Sequence, residues 1–116
     1  MGGVRGGQSS VKLPVNSIIA PEKISSYLLV PQPRGDKSQF LAKGGFVAEN
    51  GELLLQGLRE QILPLDAVPL ERSEFGQFFE ICGDLTGPNG RTLAVRTIWM
   101  TEDLSGVTKF ITLIPR

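Results

Sequence analysis

The chain contains no histidine and a single cysteine, Cys82. The usual zinc sets and the Ser-His-Asp or Cys-His nucleophile arrangements therefore cannot be built. Proton transfer falls to carboxylates, lysine, tyrosine or that lone thiol. Two places bring charged residues together in a way that bears on chemistry. The first is Arg96, which a β-hairpin register sets opposite Cys82 with Glu80 and Asp84 as diagonal neighbours. It is either one half of a cross-strand ion pair, the commoner outcome, or an arginine held by its neighbours and aimed at an anion. The second is Lys37, just after Arg34 at the expected start of a helix. With Arg96 these two would make a phosphate-binding corner, against the plainer reading of scattered surface charge. Glu102 and Asp103 fall in a turn and read as solvated loop charge. Cys82, mid-strand with no cationic helix end nearby, reads as a packing residue. No phosphate loop and no dinucleotide-binding glycine pattern is present.

The element that must position Arg96 is the stretch Gln77 to Met100, QFFEICGDLTGPNGRTLAVRTIWM. Pro88 suits the first central position of a type I turn, Asn89 the second, and Gly90 the left-handed bulge position that follows. That three-residue loop sets Gly87 against Arg91, and counting outward Leu85 faces Leu93, Gly83 faces Val95, Ile81 faces Thr97 and Phe79 faces Trp99. These pairs make one nearly apolar face, with Trp99 as a core anchor. The other face carries Glu80, Cys82, Asp84 and Thr86 against Ile98, Arg96, Ala94 and Thr92. A two-residue turn would scramble both faces, so turn chemistry and hydrophobic pattern agree on one register.

Helices precede the hairpin. Pro21 and Glu22 suit a helix start, Ile24, Tyr27 and Leu28 follow at helical spacing, and Pro31 and Pro33 end that helix near Leu29. Asp36 is a candidate N-cap for a second helix, Lys37 to Lys43, with Phe40 and Leu41 inward, Gly44 as its left-handed stop and Phe46 as the contact beyond. Asn50 is a candidate cap for a third, Gly51 to Leu63, whose Leu54, Leu55, Leu58 and Ile62 form one stripe. Val11 to Ala20 reads as extended, with a short strand near Ala67 to Leu70. The last strand, Val107 to Ile114, is apolar on both parities, which predicts a central or doubly covered strand; direct pairing would bring Thr97 and Thr112 close. The expectation is an α+β domain over residues 11–116: two or three N-terminal helices on one face of a C-terminal antiparallel sheet of three to four strands. Residues 1–10, glycine-rich and polar, read as a disordered leader.

Twelve basic residues balance twelve acidic ones in 116 residues. That balance argues against a protein that coats nucleic acid, because such binding neutralises several phosphates at once. One cysteine excludes a scaffold built on internal disulfides and suits a reducing cytoplasm. The apolar patches around Val15 to Ala20 and Leu53 to Leu55 are far shorter than the roughly 20 residues that span a bilayer. No cofactor and no metal is expected.

The order P-E-K-I-x-x-Y-L-L from Pro21, D-K-x-x-F from Asp36, G-x-L-x-G-P-N-G-R from Gly83, V-R-T-x-W from Val95 and F-I-T-L-I-P from Phe110 resembles an uncharacterised family of small bacterial domains. Members stand alone, notably in cyanobacteria, or form the C-termini of large polymorphic toxins. Their helices-then-sheet order is similar to the barnase, EndoU, colicin and RelE-like nuclease architecture, in which RelE-like members cleave RNA without histidine. The resemblance implies Lys37 and Arg96 as stabilisers of charge on a phosphate, with Glu80, Tyr27 or Thr112 assisting. Two function classes follow: a ribonuclease-like toxin or effector acting on RNA, and a non-catalytic module that binds a cognate small protein, such as the partner in a two-gene module. The first calls for Lys37 and Arg96 in one open cleft. The second calls for Arg96 locked to Glu80 or Asp84, with an exposed apolar patch or a free sheet edge.

Overall fold

The computed structural model describes residues 10–116. The leader expected over residues 1–10 lies, apart from Ser10, outside the described residues. Helix α1 opens as an α-helical turn, Pro21–Lys23, and widens into a π turn, Ile24–Leu28. Proline stands at its first position, where a missing N–H costs nothing. Helix α2 is Ser38–Ala42. Helix α3 runs Gly51–Gly57 and continues as a π turn, Leu58–Ile62, preceded by a 3-10 turn Ala48–Asn50. Four strands follow: β1 Val68–Arg72, β2 Gly76–Thr86, β3 Thr92–Glu102 and β4 Thr108–Pro115. They form one antiparallel sheet in the order β1-β2-β3-β4.

The helices lie on one face of this sheet and share its core. Leu54, Leu58 and Ile62 of α3, Ile24 and Leu28 of α1 and Leu41 of α2 are buried against Ile81, Leu85, Val95, Trp99, Phe110 and Leu113. The β2–β3 register is the one the turn dictates, with Leu85 opposite Leu93, Ile81 opposite Thr97 and Phe79 opposite Trp99. Gly90 takes a φ of 87°, the left-handed bulge position, and the Gly87 N–H donates to the Arg91 carbonyl. Trp99 is buried edge-to-face with Phe110, ring centroids 5.3 Å apart. Its indole N–H donates to the Thr97 hydroxyl at 2.8 Å, and that hydroxyl donates to the Ile81 carbonyl at 2.9 Å. The polar atoms of the core are thereby satisfied.

Several expectations shift. The left-handed residue that stops α2 is Gly45, at φ 91°, not Gly44. The Gly45 N–H donates to the Ala42 carbonyl and that of Phe46 to Leu41, a Schellman closure one residue later than the pattern suggested. Gly44 serves close packing instead, since a Cβ there would press on the Leu93 side chain. Asn50 precedes α3 but does not cap it: its Oδ1 accepts from the Val47 N–H and its Nδ2 donates to the Gly45 carbonyl. Asp36 does act at the α2 start, accepting from both the N–H and the hydroxyl of Ser38, and leaves Lys37 as the boundary residue.

The largest change concerns β4, which is an edge strand and not a central one. Its mixed parity has a different cause. Trp99 pairs with Phe110, but the next residue of β3, Ile98, pairs with Thr112. Ile111 is thus an extra residue, a β-bulge that reverses the alternation partway along the strand. Phe110 and Leu113 both point into the core as a result. Thr97 faces Leu113, so Thr112 does not become its neighbour. The chain before α1 covers part of the β4 edge: the Ile18 N–H donates to the Thr108 carbonyl and the Phe110 N–H to the Ile18 carbonyl.

Candidate functional site

Because β4 lies at the edge and bulges at Ile111, a cleft of about 620 Å³ opens between it and α1. Glu22, Lys23, Ser26 and Tyr27 of α1 form one wall, and Ile111, Thr112 and Ile114 of β4 form the other. Lys37 crosses between the two. Its ammonium lies 3.4 Å from the Tyr27 phenol oxygen and 3.3 Å from Thr112 Oγ1, and it sits 5.4 Å from the centre of the Tyr27 ring. These three residues come from positions far apart in the chain. α1 turns Tyr27 outward because Ile24 and Leu28 take the core side of the helix. The Asp36 carboxylate, accepting from the Ser38 N–H, holds the turn that carries Lys37. The bulge delivers Thr112: a regular ladder continued from the Trp99–Phe110 pair would put that threonine opposite Thr97, in the core.

The electrostatics of Lys37 are unusual for so central a cation. No carboxylate lies within ion-pairing distance of it among the described residues, whereas Lys12, Arg72, Arg96 and Lys109 each have one. An ammonium has three N–H donors, and the two hydroxyls occupy two of them. Each hydroxyl, having accepted from the lysine, keeps its own proton to donate. Three donors therefore meet at the mouth of the cleft around one uncompensated positive charge, an arrangement that suits an oxyanion with several oxygens.

Arg96 and Glu80 form a second group on the face of the sheet opposite the helices, the face that Thr112 and Ile114 share through their pairing with Ile98 and Arg96. Arg96 Nε donates to Glu80 Oε2 at 2.9 Å, so of the two neighbouring carboxylates Glu80 is the partner and Asp84 is not. The Cys82 thiol donates to the same carboxylate oxygen at 3.0 Å. The thiol hydrogen bond and then Arg96 hold the Glu80 carboxyl below the usual glutamate range. Burial first, and then the Glu80 carboxylate, push the Cys82 thiol up. A raised thiol beside an anion is the opposite of an activated nucleophile. By register Arg96 pairs with Ile114, two residues along β4 from Thr112 and itself part of the cleft wall.

Of the five residues singled out in the sequence, the structure brings Lys37, Tyr27 and Thr112 together and gathers Arg96 and Glu80 into a second, ion-paired group. Arg34 is not part of the cleft wall, and the Ser38 N–H at the start of α2 is satisfied by Asp36. Glu102 and Asp103 are structural: Glu102 accepts from Lys109 at 2.7 Å and from Ser105, and Asp103 pairs with Arg72 at 2.6 Å. Sequence reasoning missed Lys23 and Ser26 on the α1 wall and Ile111 and Ile114 on the β4 wall. The helical spacing of Lys23, Ser26 and Tyr27 was a usable signal, since i, i+3 and i+4 share one face. No sequence signal pointed to the bulge. No group of metal-ligating side chains suited to holding an ion occurs among the described residues.

A family model described as Domain of unknown function (DUF6883) matches residues 13–116. No curated protein and no solved structure matches the chain. No helix among the described residues is long and apolar enough to cross a membrane.

Proposed function

The chain belongs to the family described as Domain of unknown function (DUF6883), and from the geometry of its cleft we propose that it is a small ribonuclease-like domain that holds an RNA phosphate at Lys37. The observation that carries this reading is the Lys37 ammonium, unpaired by any carboxylate among the described residues and held between the Tyr27 and Thr112 hydroxyls in an open cleft. In RNA cleavage without a metal, the ribose 2′-oxygen attacks the adjacent phosphorus, the bond to the 5′-oxygen breaks, and negative charge builds on the non-bridging oxygens. Lys37, with the hydroxyl donors of Tyr27 and Thr112, stabilises that charge where it develops. Tyr27 is the group placed to relay a proton to the departing 5′-oxygen, and solvent takes the proton from the 2′-hydroxyl. Glu80 is assigned no step, because Arg96 and Cys82 already hold its carboxylate.

The test is expression in a bacterial host with total RNA examined, wild type against Lys37→Ala. Wild type should slow growth and fragment RNA, while the variant should do neither and fold normally, since Lys37 is only half-buried. Normal growth and intact RNA with the wild-type chain would overturn the reading.

A second reading, a non-catalytic module that binds a cognate small protein, is favoured by the Arg96–Glu80 ion pair and by two exposed apolar side chains. Phe75, 67% exposed, and Leu104, fully exposed, line one depression at the end of the sheet. It predicts a co-purifying partner that is lost in a Phe75→Ser, Leu104→Ser double variant, with RNA untouched throughout.

A further inference from the structure

Beyond the phosphate position, the walls of the same cleft carry information about what is attached to that phosphate. Ile111 and Ile114 on β4, with Ala20 ahead of α1, give it an apolar floor. Ile111 and Ile114 are both only partly buried, so the floor is open to a ligand. Opposite them, Glu22 and Ser26 stand exposed on α1 with Lys23 between them in sequence. A volume of about 620 Å³ is in the range of small-molecule sites and takes far more than a phosphate.

These parts match the chemistry of one ligand class. Lys37 offers a place for an anionic group, Ile111 and Ile114 a surface for a flat apolar body, and the Ser26 hydroxyl and Glu22 carboxylate partners for sugar hydroxyls. Lys23 stands on the same wall for a flanking phosphate. We infer that the cleft seats a single nucleotide with its base unstacked against Ile111 and Ile114, which makes single-stranded RNA the substrate class. A duplex keeps its bases stacked and paired, and offers this cleft only its backbone; single strands can turn a base out. The inference rests on the phosphate reading above and adds the base and the strandedness to it.

The experiment is calorimetric binding of two probes to the full chain, inorganic phosphate and adenosine 3′-monophosphate, for wild type, Ile114→Ser and Lys37→Ala. Burial of a base on this floor should make the nucleotide bind wild type at least about tenfold more tightly than phosphate. Ile114→Ser should erase most of that advantage, and Lys37→Ala should weaken both probes. Equal affinity of the two probes for wild type overturns the inference but leaves the phosphate reading standing. Lys37-independent binding, or no binding of either probe, overturns both. Because binding needs no turnover, intact RNA in the growth test alongside a Lys37- and Ile114-dependent nucleotide preference would remove the ribonuclease reading and keep the nucleotide site. As a second measure, equal cleavage of single-stranded and duplex oligonucleotides would overturn the assignment of substrate class.

Discussion

Two charged groups in this chain show how neighbours decide what a side chain can do. Among the described residues Lys37 has no carboxylate within ion-pairing distance and keeps one donor free, while Arg96 gives its Nε–H to Glu80. The second arrangement has a pH signature. The folded-state pKa of Glu80 is depressed, so its contribution to stability is fully present above the ordinary glutamate value of 4.5 and is lost as pH falls through the lower folded value. Arg96 is 38% exposed and Glu80 23%, which limits the pair to under about 1 kcal/mol. Glu80→Gln should therefore cost less than that at neutral pH, and should lose less stability than wild type on going from about pH 6 to pH 3, measured by urea unfolding at each pH. The same substitution removes the anion that accepts from Cys82. Cys82 is exposed but should react sluggishly with iodoacetamide at neutral pH in the wild type, and faster in Glu80→Gln. An unchanged alkylation rate would show that the Glu80 carboxylate is not what holds the thiol protonated.

At the scale of elements, what was legible was whatever local chemistry dictates. Pro88, Asn89 and Gly90 demand a three-residue loop, and once the loop is set every pair from Thr86–Thr92 to Gly76–Glu102 follows by counting. Pro21 and Pro31 bound a helix for the same reason, because the missing N–H acts where it stands. The α2 stop was off by one because Gly44 and Gly45 are equally able to turn left-handed. The choice between them is made by Leu93, which packs against Gly44 from another element. The bulge at Ile111 was not legible at all. Two apolar parities in one strand have at least two causes, burial on both faces or a change of phase, and only the pairing partner distinguishes them. That ambiguity mattered for the site, since Thr112 belongs to the cleft only if the phase changes. Deleting Ile111 removes the extra residue and leaves Thr112 opposite Ile98 and Leu113 opposite Thr97. We expect fully buried Leu113 to stay in the core, the loss in urea unfolding to stay below the about 2 kcal/mol of a truncated core leucine, and phosphate binding at Lys37 to persist. A larger loss of stability, or loss of phosphate binding, would show that the bulge itself shapes the cleft.

For the molecule as a whole, the charge balance constrains how it can engage RNA. Twelve cations balance twelve anions, so the net charge is zero, and among the described residues four of the cations are held in ion pairs on the surface. Inside the cleft the positive charges are Lys37 and Lys23, with Glu22 beside them. Long-range attraction is therefore weak, and affinity has to come from contacts inside the cleft. Affinity for a single strand falls with salt by roughly 0.7 in log K per log unit of salt for each phosphate neutralised, so two lysines imply a slope of about −1.4. Fluorescence anisotropy with a short single-stranded RNA should give a slope in that shallow range, and Lys23→Ala should bring it near −0.7, the value for one phosphate. A steep slope, such as the one near −4 expected of a surface that neutralises about six phosphates, would mean that RNA runs over charges outside the cleft. In that case the electrostatic centre of binding would have to be sought on another face, and Lys37 would be one contact among many.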